Sequence, residues 1–318
     1  MIKLQRILIE SRPVKGVINW SKKLVLPGFE GLPLYDVLHF FFKQTQQIGL
    51  NERAASVAFN FLMAVPPLFI FIFTLLSYIP GSIRLYDEVL VLLRGVIPDG
   101  TTYTMIKNVM DDFFATGTGT LSFGLLLALY FSSNATLTIM RTFRKSMLHI
   151  EVEEQNFIEV RLIAIRLTFI IVLLIIATIM IMLTQTIILN WIIEQMNIKD
   201  SFNDFIFGSA HFVVTFLLIF LATGLIYRYA PHVQKKWKIR TPGALLATVL
   251  IMSFTYFFSY WVNNIASYNK VYGSLGSILI LMFLVFVNSL VLLIGFELNV
   301  SINSLKSIAE KRKIINNK

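Results

Sequence analysis

Cysteine is absent from the 318 residues, which excludes disulfides and thiolate metal sites and leaves the redox compartment unmarked. Charge is scarce as well. Only 14% of the residues are Asp, Glu, Lys or Arg, against about a quarter in soluble domains. The four histidines, His39, His149, His211 and His232, form neither an H-E-x-x-H pattern nor a close pair. Zinc needs three or four convergent ligands, so no metal site is expected. There is no Walker sequence, which excludes transport driven by the chain's own ATP hydrolysis, and no G-x-S-x-G nucleophile turn. Asp111 and Asp112 are adjacent, so on a helix they diverge by about 100° and read as a solvated turn rather than a metal pair. The first 30 residues lack an apolar run with a small-residue cleavage site, so insertion is expected to use the chain's own spans. No catalytic residue and no cofactor is expected, and an enzymatic role is not the favoured reading.

Apolar residues are abundant. They make up 56% of the chain, including 28 Phe, and the mean hydropathy is +0.71. Residues 273–300 hold no Lys or Arg and a single acid, Glu297. At 1.5 Å of rise per residue, roughly 20 such residues cross a bilayer. Comparable runs at about 54–79, 120–140, 162–189, 207–229 and 244–262 complete a set of six. The expected fold class is an all-α integral membrane protein with six transmembrane helices and additional amphipathic interfacial helices.

The bases are unevenly placed. Segments 1–53, 141–166, 228–240 and 306–318 hold 23 Lys and Arg, whereas segments 80–118, 190–207 and 266–272 hold 5. Basic loops stay in the cytoplasm, so both termini are expected there. The net charge of +10 is thereby a topology signal, and nucleic acid is not an expected partner. Three regions follow: a basic cytoplasmic or interfacial segment at 1–53, a six-helix domain at 54–300, and a basic cytoplasmic tail at 301–318. Residues 1–19 and 34–47 read as amphipathic helices separated by Pro27, Gly28, Gly31 and Pro33. Such helices suit either the anionic headgroup layer or the cytoplasmic ends of the bundle. Residues 80–118 read as extracytoplasmic amphipathic helices.

The polar residues within or beside the spans are the candidates for function. Pro66 and Pro67 lie in the middle of the first span and predict a kink or break, since each lacks a backbone donor. Asn134 lies deep enough to need a partner or water. Gln185 and Asn288 are further polar points in apolar surroundings, and Arg141 and Arg228 stand at the cytoplasmic mouth. Glu297 reads either as an interfacial ion pair locking the bundle, with a base from the N-terminal region or residues 228–240, or as an intramembrane proton or headgroup site. Pro242 suits a first helical turn. Gly243, Gly273, Gly276 and Gly295, together with Tyr272, read as packing positions where helices approach closely.

Several of these residues fall in motifs: AASVAFNFLMAVPP at 54–67, YRYAP at 227–231, the pair at 242–243, NKVYGSLG at 269–276 and GFELN at 295–299. Over residues 35–300 the chain resembles the YihY/BrkB family of bacterial inner-membrane proteins, whose members have also carried ribonuclease and virulence labels. The resemblance implies six helices with cytoplasmic ends and a multi-pass location in the bacterial inner membrane. It implies no settled activity, and nothing here supplies a metal or acid–base pair for RNA cleavage. The favoured expectation is a transporter or lipid translocase without its own ATPase, its pathway near Pro66–Pro67. Membrane lipids with anionic headgroups, and a lipid or small amphiphile as substrate, would be its partners. The alternative is a non-transporting envelope scaffold that binds a partner protein, and a lipid enzyme is a third. Oligomeric state is left open.

Overall fold

The computed structural model describes residues 12–77, 86, 90, 103, 104, 107, 108, 111, 121–147, 150, 156–196, 200–231, 233, 236–264 and 274–316. Its long elements are helices: α1 (Arg12–Lys23), α2 (Leu34–Ile48), α3 (Leu50–Ser77), α4 (Leu121–Ser146), α5 (Phe157–Met196), α6 (Asp200–Tyr229), α7 (Pro242–Asn264) and α8 (Ser274–Asn316). The chain is thus all-α, as its hydropathy pattern requires. Among the described residues four segments are long and apolar enough to cross a membrane: Phe157–Thr178, Phe212–Tyr229, Pro242–Val262 and Leu279–Lys311. The expected number was six. Helices α3 and α4 are 28 and 26 residues long but are not among the four. Their stretches 54–77 and 121–140 nevertheless hold no Asp, Glu, Lys or Arg.

The helices bury small and aromatic residues between them and turn large apolar ones outward. Phe212 and Leu217 on α6, Tyr256 and Phe257 on α7, and Phe283 on α8 are all exposed. On a water-soluble protein such a belt would drive aggregation. Against acyl chains it costs nothing, and the bundle is a multi-pass membrane protein.

Two expectations about helix ends change. Helix α3 runs without interruption through Pro66 and Pro67, so there is no break at that point. The prolines forfeit the bonds to the carbonyls of Leu62 and Met63, but the ladder on either side of a 28-residue helix holds. Such losses are tolerated within membrane helices. The tail expected from residue 301 is instead a continuation of α8 to Asn316. No Gly or Pro follows Gly295 to stop it. Moreover, Leu298, Ile302 and Leu305 pack against Phe29, Val37 and Phe41 at α2. At 43 residues α8 is about 65 Å long, roughly twice the hydrocarbon thickness. Part of it therefore extends beyond the bilayer. An exposed ion pair, Lys306 with Glu30 at 2.8 Å, adds little there.

Helix α2 meets α3 at a corner made by Gly49, whose φ of 64° lies in the left-handed region that glycine adopts without a Cβ penalty. Helices α7 and α8 form an antiparallel pair. They touch at Gly243 and Gly295, where an added Cβ on Gly295 would lie 2.5 Å from the Gly243 carbonyl oxygen and 2.5 Å from the Tyr227 hydroxyl. Only glycine permits backbones to approach this closely. Asn299 completes the joint. Its Oδ1 accepts from the Gly243 N–H at 2.9 Å and its Nδ2 donates to Thr241 Oγ1 at 2.9 Å, so the first turn of α7 is held from α8. Thr136–Thr168 at 2.8 Å and Thr223–Thr248 at 3.3 Å link α4 to α5 and α6 to α7.

Candidate functional site

The only acid of the last apolar run has no exposed surface. Glu297 lies where α2, α3, α4 and α8 converge. Arg53, three residues into α3 and 8% exposed, donates from Nη1 to Glu297 Oε1 at 3.3 Å. Its Nη2 donates to Ser146 Oγ at 2.7 Å and to the Thr142 carbonyl. Ser146 in turn donates to Glu297 Oε1. From α2, Gln44 Nε2 donates to Glu297 Oε2 at 3.0 Å and to the Ser146 carbonyl at 3.3 Å. The last turn of α4 leaves its carbonyls without helical partners, and Gln44 satisfies that of Ser146. One buried carboxylate thereby fastens four helices. Burying the pair costs several kcal/mol per ion, which these extra bonds offset.

An aromatic cluster backs this knot. The rings of Phe143 and Phe296 stack at 3.6 Å between centroids and are within 3° of parallel. Tyr227 and Trp237 flank Phe296 at 5.8 and 5.4 Å. The Tyr227 hydroxyl donates to the Leu292 carbonyl at 2.7 Å.

A second polar group lies between α4 and α5. Asn134 Oδ1 accepts from Arg161 Nη1 at 2.8 Å, the Tyr130 carbonyl accepts from Arg161 Nη2 at 2.7 Å, and the guanidinium lies 3.7 Å from the centre of the Tyr130 ring.

The sequence candidates do not converge. Pro66 is exposed and Pro67 half-buried on α3. Arg141 is exposed on α4. Arg228 is half-buried beside the Tyr229 ring, with its Nε buried and unpartnered. Asn288 is half-buried on α8, and its Oδ1 is buried without a partner. Gln185 is on α5, but its side chain lies outside the described residues, as do Tyr272, Gly273 and nearly all of 80–118. Gly276 is buried near the start of α8 and Pro242 opens α7. Sequence reasoning offered Glu297 a base from the N-terminal region or from residues 228–240, and Arg53, the last residue of the first, is the one that pairs with it. It missed Gln44, Ser146 and Arg161. Arg53 and Arg161 share one recognisable signal: each lies just inside the start of a helix and is followed at once by apolar residues. No group of three or more His, Cys, Asp or Glu capable of holding a metal occurs among the described residues. A groove of about 510 Å³ lies between α2 and the end of α8, lined by Asp36, His39, Phe40, Lys43, Leu305 and Ile308 among others.

Comparison with known proteins gives a consistent relationship. A family model described as "Virulence factor BrkB" matches residues 41–317. The ribonuclease-like protein YfkH of Bacillus subtilis (strain 168) is 26% identical over 263 residues, covering 82% of this chain and 93% of that protein. A UPF0761 membrane protein of Coxiella burnetii (strain Dugway 5J108-111) is 23% identical, covering 81% of this chain and 90% of that protein. Another, of Tolumonas auensis, is 24% identical over 81% of this chain and 82% of its own length. No solved structure matches.

Proposed function

The chain belongs to the YihY/BrkB family of multi-pass bacterial inner-membrane proteins, and from that premise we propose that it is a transporter or lipid translocase with no ATPase of its own. The observation that carries this reading is a pair of buried, unpartnered polar atoms in the bundle, Asn288 Oδ1 on α8 and Thr215 Oγ1 on α6. An unsatisfied buried acceptor costs about 1–3 kcal/mol, and more in lipid. Helices α6 and α8 run the same way and touch through Tyr227 and Leu292. Counted from that contact at 1.5 Å per residue, Asn288 lies about 6 Å and Thr215 about 18 Å further into the membrane. Two levels on neighbouring helices suit a route used by water or a polar headgroup. We place the route between α6 and α8, because α3 passes Pro66–Pro67 unbroken.

The test is flux of labelled phospholipid and of a small amphiphile in vesicles carrying the purified protein. Asn288→Leu with Thr215→Val is expected to lower flux roughly tenfold, the equivalent of about 1.4 kcal/mol on the barrier, with thermal stability kept or raised. Wild-type flux no greater than in protein-free vesicles would end the transport reading and favour an envelope scaffold. Unchanged flux in the double variant would move the route elsewhere.

We also take α3 and α4 as two further spans, about 42 and 39 Å long, which makes six. The end that holds Arg53, Ser146, Gly243 and Glu297 then faces the cytoplasm, because the segments bearing 23 of the 28 bases adjoin it. The lack of native cysteine makes this easy to check. In intact cells a membrane-impermeant thiol reagent is expected to label Tyr103→Cys and to label Lys311→Cys only after lysis. The opposite pattern would invert the molecule. Residues 1–53 would be the basic interfacial segment, 54–300 the span domain and 301–318 its cytoplasmic extension.

A further inference from the structure

Helix α1 divides its residues by kind around its axis. At about 100° per residue its four bases and Asn19 fall within one arc of roughly 100°, and Pro13, Val14, Val17, Ile18 and Trp20 fall within the opposite arc of roughly 160°. The helix holds no acid. Lys15, Asn19, Lys22 and Lys23 are exposed, and among the described residues no carboxylate pairs with these three lysines. Lys22 lies 5.1 Å from the centre of the Tyr35 ring on α2. On the apolar side Trp20 is 62% exposed, and Val25, just past the helix, is 48% exposed. Helix α2 differs, since its Val37 and Phe41 are buried against Leu298 and Ile302 of α8.

The end of α1 is held at the membrane boundary. The apolar segment of α7, Pro242–Val262, has 21 residues, about 31 Å. That matches the hydrocarbon layer of roughly 30 Å, so Pro242 marks one edge of it. The turn after α1 rests there: a Cβ on Gly28 would lie 2.8 Å from Pro242 Cγ. Leu26 and Phe29 pack in one cluster with Leu246, a turn further along α7. The turn is closed on itself. The Leu34 N–H donates to the Leu24 carbonyl at 2.9 Å, and the Leu24 N–H donates to the Trp20 carbonyl at 3.1 Å. A basic helix with a broad apolar arc lies in the plane of an interface, bases among anionic headgroups, and Trp favours that depth. An acidic protein would match the bases, but at this edge lipid also covers Trp20.

We propose that α1 is a docking surface for an anionic lipid leaflet. It lies flat on the membrane on the side of Pro242, with the Trp20 arc at the top of the acyl chains and the four bases among the headgroups. The contact is independent of the route between α6 and α8, and it holds whether or not anything is transported.

The absence of native cysteine allows single labels on the full chain. Val17→Cys on the apolar arc and Asn19→Cys on the basic one each carry an environment-sensitive dye. The protein is placed in nanodiscs of phosphatidylcholine with about one-third phosphatidylglycerol. A nitroxide near the top of the lipid chains is expected to quench the dye at 17 about threefold more than at 19, because the apolar face of such a helix sits about 5–10 Å into the headgroup–acyl boundary. Aqueous iodide is expected to quench in the opposite order. Trp20→Cys, at an exposed position of the apolar arc, is expected to repeat the pattern of Val17→Cys, so a label that disturbs the helix at 17 does not hide the result. Omitting phosphatidylglycerol is expected to lower the lipid quenching at 17 about twofold, and so is the combined Lys15→Gln, Lys22→Gln and Lys23→Gln variant at equal salt. Lipid quenching that ignores both changes would overturn the charged contact. Dyes at 17 and 20 shielded from both quenchers would overturn the proposal in favour of packing against protein, a second copy included. Equal iodide quenching on the two arcs would overturn it by leaving α1 in water, open to a soluble acidic partner.

Discussion

Replacing Arg53 with methionine is expected to destabilise the protein by about 3–5 kcal/mol, the usual cost of stranding one member of a buried ion pair. Glu297 would keep its bonds from Ser146 and Gln44 but lose its only charged partner among the described residues. Thr142 and Ser146 would lose a donor at the end of α4. Glu297→Gln should cost less, because a neutral amide can still accept from Arg53 and leaves no buried anion. The double variant Arg53→Met with Glu297→Leu should be more stable than Arg53→Met alone, since removing both charges abolishes the desolvation cost as well as the attraction. The comparison is made through the midpoint of thermal unfolding in detergent, at one scan rate, because membrane proteins commonly unfold irreversibly. A double variant whose loss equals the sum of the singles would show that the two charges act independently. The same series bears on function. A lock predicts that Glu297→Gln lowers stability while leaving flux per folded molecule unchanged. A proton-carrying carboxylate predicts the reverse.

Gly295→Ala is expected to have the larger effect on folding yield. One methyl group would have to fit 2.5 Å from the Gly243 carbonyl oxygen, 2.5 Å from the Tyr227 hydroxyl and 2.8 Å from the Ala247 Cβ. The first neighbour is backbone and cannot rotate aside. Helices α7 and α8 would have to separate, which would break the Asn299 bonds to Gly243 and Thr241 and the Tyr227 bond to Leu292. Overpacking costs about 1–3 kcal/mol where side chains can yield, and more where they cannot. The monodisperse peak on size exclusion is therefore expected to be largely lost. Gly16→Ala is the matched control. Nothing lies within 4 Å of a Cβ at that position of α1, so the change should stabilise by roughly 0.5–1 kcal/mol through helix propensity alone. Normal expression of Gly295→Ala would show that the crossing at Gly243 is looser than these distances.

By itself the sequence determined that the chain is helical and lives in lipid. Apolar runs of bilayer length leave no other arrangement for the backbone's polar groups, and this signal is local. Helix α2 was expected at 34–47 and is found at Leu34–Ile48, since its amphipathic period and the flanking Pro33 and Gly49 are all read within one segment. The continuation of α8 past residue 300 was not legible, because its charged residues suit a solvated tail equally well. What holds it is contact with α2, more than 250 residues earlier in the chain. Likewise, a lone Glu297 in an apolar run says that a partner is needed. Which groups answer it is decided by how four helices pack, bringing together Gln44, Arg53, Ser146 and Glu297. The same holds for Arg161, which in sequence is one more base beside a span and in the folded bundle is a buried cation against Asn134. Burial and pairing are properties of tertiary neighbours, and no periodicity along one chain encodes which neighbours those will be.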